Sequence, residues 1–126
     1  MNIPETLKYT SDHEWLKIEG DFAFVGVSDF AQKELGDIVF VEVETVGEKL
    51  DASELFGTIE AVKTVSDLLM PLSGEVVEFN PLIEEDPAII NSDPYGKGWI
   101  IRIKIEDMKG LDNLLSAADY KALIEA

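Results

Sequence analysis

The sequence predicts a small, mainly β domain of short antiparallel strands, with a short internal helix and a C-terminal helix. A chain of 126 residues is the size of one domain, and 46% hydrophobic with 29% charged residues is a globular composition. Several short runs alternate apolar and polar side chains, which is the period of half-buried strands. Turn residues separate these runs in VGEK, PLSG, EEDP and NSDPYGKG. Many short strands at this spacing are typical of a sandwich or a barrel.

Four stretches carry the strand predictions. EWLKIEGDFAFVGV predicts two strands joined at residues 19–21, and GEVVEFN predicts another strand. In DIVFVEVETVG the apolar face would comprise Val39, Val41 and Val43. WIIRIKIED shows the clearest alternation, and its apolar face would comprise Trp99, Ile101, Ile103 and Ile105. These alternations predict sheets that have one face towards solvent.

Two stretches predict helices. SDFAQKELGD offers Ser28 or Asp29 as the N-cap residue and Gly36 as the residue that ends the helix. SAADYKALIEA opens with Ser116, and an acid follows three residues later at a capping-box spacing. The face of this second helix that packs on the sheet would comprise Tyr120, Leu123 and Ile124.

Composition excludes several classes of function. The chain has 10 basic and 26 acidic residues, for a formal charge of -16, which repels nucleic acid and anionic lipid and favours basic partner surfaces. No apolar run approaches the roughly 20 residues that span a bilayer. The N-terminal stretch resembles neither a signal nor a transit peptide, so we expect a cytoplasmic protein, or a mitochondrial matrix protein only if a transit peptide has been removed.

The residues suited to catalysis are few. Without cysteine there is no thiolate nucleophile and no Cys-ligated metal, and the single histidine, His13, forms no multi-histidine metal site. His13 is interpreted as a structural hydrogen-bonding residue near a strand start. A paired-carboxylate site stays open, although no pair of acids stands out by its spacing. Phosphate-binding and calcium-binding loops are not matched, and no metal site is predicted.

One lysine, Lys63, lies in GTIEAVKTVSDLLMPLSG. A lysine in a strand-turn-strand context is most simply a solvated side chain. Here Gly57 precedes it, Pro71 follows eight residues later and Gly74 eleven residues later. This arrangement resembles the biotinyl/lipoyl carrier domains, in which the modified lysine sits at a hairpin tip between a Gly-containing approach and a Pro-x-x-Gly turn.

Within that superfamily the chain is most similar to the H proteins of the glycine cleavage system. Four blocks carry the resemblance, in the order and spacing of the family: LKYTSDHEW at 7–15, GVSDFAQKELGDIVFVEV at 26–43, GTIEAVKTVSDLLMPLSGEVVEFN at 57–80, and INSDPYGKGWIIRIKI at 90–105. The resemblance implies a lipoyl/biotinyl-type barrel-sandwich hybrid. It further implies one lipoyl-carrier domain over residues 1–126, with a helical segment at about 111–126.

The resemblance also implies a mechanism and its participants. Lys63 would carry lipoate in an amide, as N6-lipoyllysine, attached by a lipoate ligase or lipoyl transferase. The chain would be a carrier and not an enzyme, and it would shuttle the aminomethyl group of glycine among three partners. These are a pyridoxal-phosphate glycine decarboxylase, a tetrahydrofolate-dependent aminomethyltransferase and an FAD-containing dihydrolipoyl dehydrogenase. By the same motif match, Glu14 and Asp67 would contact the loaded arm, because carboxylates accept charge-assisted hydrogen bonds from an ammonium group.

Other functions remain open at this point. The main alternative is an H-like lipoyl relay protein that passes lipoate to other complexes, and one sequence does not separate it from glycine cleavage. A biotin carrier and an enzyme that acts through His13 are two further alternatives. The modified residue distinguishes lipoate from biotin, and a reconstitution assay distinguishes glycine cleavage from relay.

Overall fold

The computed structural model of the chain describes residues 2–125. Nine strands lie in this range: β1 Lys8–Tyr9, β2 Glu14–Glu19, β3 Phe22–Val27, β4 Ile38–Glu42, β5 Lys49–Leu50, β6 Leu55–Ala61, β7 Val65–Leu69, β8 Gly74–Phe79 and β9 Ile101–Ile105. The helices of the same range are α1 Asp29–Leu35, α2 Pro81–Glu85, α3 Ile89–Ser92, a 3-10 helix at Met108–Asn113, and α4 Ala117–Glu125. The mainly β prediction with an internal and a C-terminal helix is confirmed. None of these helices is long and apolar enough to cross a membrane.

The strands form two open antiparallel sheets. One has six strands in the order β1-β2-β3-β9-β8-β5, and the other has three in the order β4-β6-β7. The main apolar core lies between them, because its cluster of buried residues takes Leu16 and Ile103 from the first sheet and Phe56 and Ile59 from the second. Burial of this cluster is the main stabilising contribution to the fold.

The hairpin β2–β3 and strand β9 agree with the alternation in the sequence. Gly20, at φ +63°, lies in the predicted turn, and the residues of β9 alternate between buried and partly or fully exposed. Trp99 departs from the prediction. It precedes β9 and packs in a second apolar cluster, with its ring 5.0 Å from that of Phe24 in an edge-to-face contact. The strand pairing starts only at Ile101, so the alternation does not extend back to Trp99.

Strand β4 corrects a second prediction. The alternation in the sequence predicts Val39 on the buried face with Val41, yet Val39 is 47% exposed and Phe40 is 51% exposed. The pairing of β4 with β6 shifts register between Ile38 and Phe40. A β-bulge adds one residue to the strand and so breaks the two-residue period. The buried side chains of β4 are consequently Ile38 and Val41.

Both predicted helices are present, with one error. Ser28 is the N-cap of α1, and Gly36 ends it at φ +83°. In α4 the backbone N–H of Asp119 donates to Ser116 Oγ at 3.1 Å, as the capping prediction requires. Tyr120 is fully buried and Ile124 is half-buried, but Leu123 is 44% exposed, so its predicted packing is wrong. The buried face of this short helix instead continues from Tyr120 to Ala117, three residues earlier.

The structure contains two helices that the sequence did not predict. Helix α2 has five residues and α3 has four, in a region interpreted as turns. The Asn80 side chain caps α2 by accepting from the N–H of Leu82 at 3.0 Å. Its amide nitrogen also donates to the carbonyls of Lys97 and Trp99. Helices of this length are too short to show a helical period, and tertiary contacts hold them in place.

Candidate functional site

Lys63 lies at the tip of the hairpin formed by β6 and β7. The N–H of Ala61 donates to the carbonyl of Thr64 at 2.7 Å, which closes a tight turn with Val62 and Lys63 at its centre. Both central residues are exposed, and neither has a positive φ. The turn therefore does not need the Asn-Gly type of sequence that marks many hairpins, which is why local turn chemistry did not locate it.

The tip is held against the segment that joins α1 to β4. The N–H of Val62 donates to the carbonyl of Asp37 at 3.0 Å. The aliphatic stem of Lys63 crosses Gly36, because a Cβ added at Gly36 would lie 3.0 Å from Lys63 Cε and 3.5 Å from its Nζ. The lysine is thus exposed but directed along the C-terminal end of α1.

A pocket of about 400 Å³ opens beside the lysine. The loop before β2, helix α1 and the β6–β7 sheet form its walls. Glu34 and Leu35 line it just before Gly36, and Ser66 lines it just after the turn that carries Lys63. The acidic side chains of the lining are Asp12, Glu14, Glu34 and Asp67. An acidic pocket with apolar walls suits a flexible chain that ends in a cationic group.

Glu14 is the most unusual of these acids. It is 2% exposed, and its Oε2 accepts from the N–H of Leu69 at 2.9 Å. Its Oε1 is buried without a hydrogen-bond partner among the described residues. Burial raises the pKa of Glu14 from 4.5 to about 8, partly offset by the Leu69 hydrogen bond, so the carboxyl is mostly protonated at neutral pH. A cation that reached Oε1 would supply the missing partner and favour ionisation.

Asp67 lies on β7, where it pairs with Thr58 of β6, and its side chain is exposed at the pocket. The structure therefore brings Glu14 and Asp67, from distant parts of the sequence, to the walls of one pocket beside Lys63. That these two acids contact a loaded arm stays a prediction.

His13 lines the same pocket, which sequence reasoning missed. The residue has φ +67°, and its Nδ1 lies 2.9 Å from the hydroxyl oxygen of Tyr120 on α4. Its ring is 4.8 Å from that of Phe30, another lining residue. The expectation that His13 makes a structural hydrogen bond agrees with the contact between His13 and Tyr120.

The sequence carries one signal for two other lining residues of the pocket. Phe30 and Glu34 are four positions apart on α1, and this helical spacing places them on a common face.

Metal chemistry has no visible support at this pocket or elsewhere in residues 2–125. No group of three or more His, Cys, Asp or Glu side chains in that range is arranged to hold a metal ion.

Known proteins resemble this chain over its whole length. The family model for the glycine cleavage H-protein matches residues 7–126. The glycine cleavage system H protein of Bacteroides fragilis is 57% identical over 126 residues, with 100% of both chains covered. That of Chlorobium phaeobacteroides is 54% identical over 128 residues, again with 100% of both chains covered. The crystal structure of a glycine cleavage system H protein from Mycobacterium marinum matches with a TM-score of 0.86 and 40% identity, covering 98% of this chain and 100% of the other.

The comparisons confirm the fold and the family that the four sequence blocks implied. Proteins of this family carry lipoate on a lysine. The match spans nearly all of the chain and is supported by sequence and by structure. This chain therefore belongs to the glycine cleavage H-protein family, the lipoyl carriers of the glycine cleavage system.

Proposed function

We propose that Lys63 is the lipoylated residue and that residues 1–126 form one lipoyl-carrier domain. The observation that carries the proposal is the position of this lysine. It lies exposed at a hairpin tip, with its stem across Gly36 and an acidic pocket beside it. A modifying enzyme can reach such a tip without unfolding the chain.

The residues of the pocket fit a tethered arm with a cationic end. Buried Glu14 Oε1 lacks a hydrogen-bond partner among the described residues, and an incoming ammonium group would supply one. Asp67 would accept from the same group at the open side of the pocket. When bound, lipoate supplies the sulfur chemistry that carries the aminomethyl group and, later, two electrons. Phe30 and Leu35 provide apolar walls that limit access of water to this cargo.

The chain itself serves as a carrier, and its partners perform the catalysis. In this proposal the pyridoxal-phosphate glycine decarboxylase loads the aminomethyl group. The tetrahydrofolate-dependent aminomethyltransferase then removes it, and the FAD-containing dihydrolipoyl dehydrogenase reoxidises the arm. A lipoate ligase or lipoyl transferase attaches lipoate beforehand, and all of these encounters take place in the cytoplasm. The charge of -16 favours partners with basic docking surfaces and disfavours nucleic acid and anionic membranes.

Mapping the modified residue tests the attachment site. The chain is co-expressed with a lipoate ligase, and the adduct is located by peptide mass spectrometry. We expect lipoate on Lys63 alone, and we expect Lys63→Arg to remain folded but unmodified, since a guanidinium does not form this amide. Lys49→Arg is the matched control, because Lys49 is also exposed on the surface. An adduct on a different lysine, or an unmodified parent chain, would refute the assignment.

The lifetime of the loaded protein tests the role of the pocket. Without partner enzymes, Glu14→Gln and Asp67→Asn should lose the aminomethyl cargo faster than the parent, because each removes a carboxylate that holds the ammonium group. Glu60→Gln is the control, since Glu60 is exposed near the same hairpin tip but does not line the pocket. Equal lifetimes for all four folded proteins would show that the acids do not protect the cargo.

A further inference from the structure

A buried run of hydrogen bonds joins the C-terminal helix to the wall of the pocket. The N–H of Ala31 donates to Ser28 Oγ at 3.1 Å. Ser28 Oγ lies 2.7 Å from the hydroxyl oxygen of Tyr120, which in turn lies 2.9 Å from His13 Nδ1. Ser28 and Tyr120 are both 0% exposed. Water therefore does not complete their hydrogen bonding, and each hydroxyl proton needs a partner within this run.

Only one direction of donation satisfies both hydroxyl protons. If Ser28 donates to Tyr120, then Tyr120 donates to His13 Nδ1, and neither proton lacks an acceptor. In the reverse direction His13 Nδ1–H donates to Tyr120 and Tyr120 donates to Ser28. The buried Ser28 proton is then left without an acceptor among the described residues. Leaving a buried donor unpaired costs about 1–3 kcal/mol, so the first direction prevails.

This direction determines which nitrogen of His13 carries the proton. Nδ1 accepts from Tyr120, so in the neutral ring the proton lies on Nε2. The contact of Nδ1 with Tyr120 is the only hydrogen bond that the His13 ring makes among the described residues, and His13 lines the pocket. The ring therefore offers an N–H donor to a ligand in the pocket, whereas the acidic residues of the wall, once ionised, only accept hydrogen bonds.

We propose that Tyr120 is a positioning residue for the lysine arm, because its hydroxyl holds His13 in the neutral tautomer whose Nε2–H donates to an acceptor atom of the arm. The inference rests on the proposed function of the pocket. Acids of the wall accept from the cationic cargo, and His13 donates to the arm that bears it. The C-terminal helix thereby becomes part of the binding site without lining it.

The surroundings of His13 support the neutral ring. Burial lowers the pKa of His13 below its ordinary value of 6.5 and is a larger effect than the opposing attraction of Asp12 and Glu34. Burial raises the pKa of Tyr120, so its hydroxyl keeps its proton. Protonation of His13 would also reverse the donation and leave the Ser28 proton unpaired. The titratable groups that face His13 from the elements around it are Asp12, Glu14, Glu34, Asp67 and Tyr120.

Nitrogen NMR of histidine tests the tautomer directly. The chain has one histidine, so selective ¹⁵N labelling reports on His13 alone. In the unlipoylated parent at neutral pH we expect the proton on Nε2 and a hydrogen-bonded Nδ1. A proton on Nδ1 would overturn the proposal, whether or not Lys63 is the modified residue. This measurement needs no variant, so it stands even where a substitution disturbs folding.

A pair of tyrosine variants isolates the contribution of Tyr120. Tyr120→Phe removes the hydroxyl that donates to His13. Tyr9→Phe is the control, because the ring of Tyr9 stacks on that of Tyr120 at a centroid distance of 4.7 Å, but the Tyr9 hydroxyl donates to the carbonyl of Pro4. We expect the pKa of His13 to rise towards its ordinary value in Tyr120→Phe only, since that variant loses a hydrogen bond to the neutral ring. Equal pKa values in the two variants would overturn the proposal.

The loaded protein provides the functional readout. We expect Tyr120→Phe to shorten the lifetime of the aminomethyl cargo about three- to fivefold, which corresponds to the loss of one hydrogen bond, and Tyr9→Phe to leave it unchanged. Matching lifetimes for the two variants would refute the positioning role. A parent chain that carries no lipoate on Lys63 would instead refute the proposed function, and the NMR result on the tautomer would remain valid.

Discussion

Substitution of Glu14 by glutamine should make the fold more stable at neutral and alkaline pH. The carboxyl is 2% exposed and its Oε1 has no partner among the described residues, so ionisation of this group is costly in the folded chain. Glutamine keeps the size of the side chain, and its amide oxygen can still accept from the N–H of Leu69, as Oε2 does at 2.9 Å. The substitution therefore removes the charge and preserves most contacts.

The size and the pH window follow from the pKa of Glu14, which burial raises from 4.5 to about 8. Between these values the folded chain keeps the proton that the unfolded chain has lost, so the stability of the parent falls as the pH rises. Each pH unit within this window of about 3.5 units costs about 1.4 kcal/mol, so the accumulated cost by pH 9 is on the order of 5 kcal/mol. Glutamine has no such dependence. At pH 4 the side chain at position 14 is neutral in the folded parent and in the folded variant, so the cost of ionising Glu14 no longer separates the two proteins.

Denaturant unfolding at pH 4 and at pH 9 measures this effect. The quantity to compare is the difference in the free energy of unfolding between Glu14→Gln and the parent, because the other titrating groups are common to both proteins and cancel. We expect a difference that grows by several kcal/mol in favour of the variant from pH 4 to pH 9. Glu60→Gln, at an exposed position, should show little change with pH. A difference for Glu14→Gln that does not vary with pH would refute the reasoning from burial.

Three further predictions follow from the hairpin tip, the surface charge and α4. Gly36→Ala and Gly47→Ala should each destabilise the fold by about 1–3 kcal/mol, because both glycines have positive φ. Only Gly36→Ala should also slow the lipoylation of Lys63, whose Cε would lie 3.0 Å from the new Cβ; equal rates of adduct formation by mass spectrometry would contradict this. The rate of association with the aminomethyltransferase should fall as the salt concentration rises, since exposed charges are screened beyond about 8–10 Å at 0.1–0.15 M ionic strength. An association rate that does not depend on salt would exclude electrostatic steering. Leu123→Ser should change the free energy of unfolding by less than about 0.5 kcal/mol in denaturant titrations, because Leu123 is 44% exposed, and a larger loss would mean that it packs after all.

The sequence by itself determined the class of the fold and the family. The two-residue alternation of IRIKI and the paired runs around Gly20 predicted strands that the structure contains. The cap at Ser28 and the stop at Gly36 predicted the limits of α1. These features are local, because a strand period or a helix cap depends on residues within a few positions of one another. The four blocks indicated the family differently, through their resemblance to the H proteins of the glycine cleavage system, and the family model that matches residues 7–126 confirmed it.

Tertiary structure decided everything that depends on a shift of register or on contacts between distant residues. The bulge in β4 exposes Val39, and no local pattern distinguishes such an insertion from a regular strand. The tight turn at Lys63 closes without special turn residues, because the neighbouring segment holds the tip through Asp37. Packing also brings Glu14 to the N–H of Leu69 and His13 to Tyr120, each pair far apart in the chain. The sequence shows the type and the formal charge of each of these residues. Their burial, their pKa values and their hydrogen-bond partners arise only when the sheets and the C-terminal helix pack around one pocket.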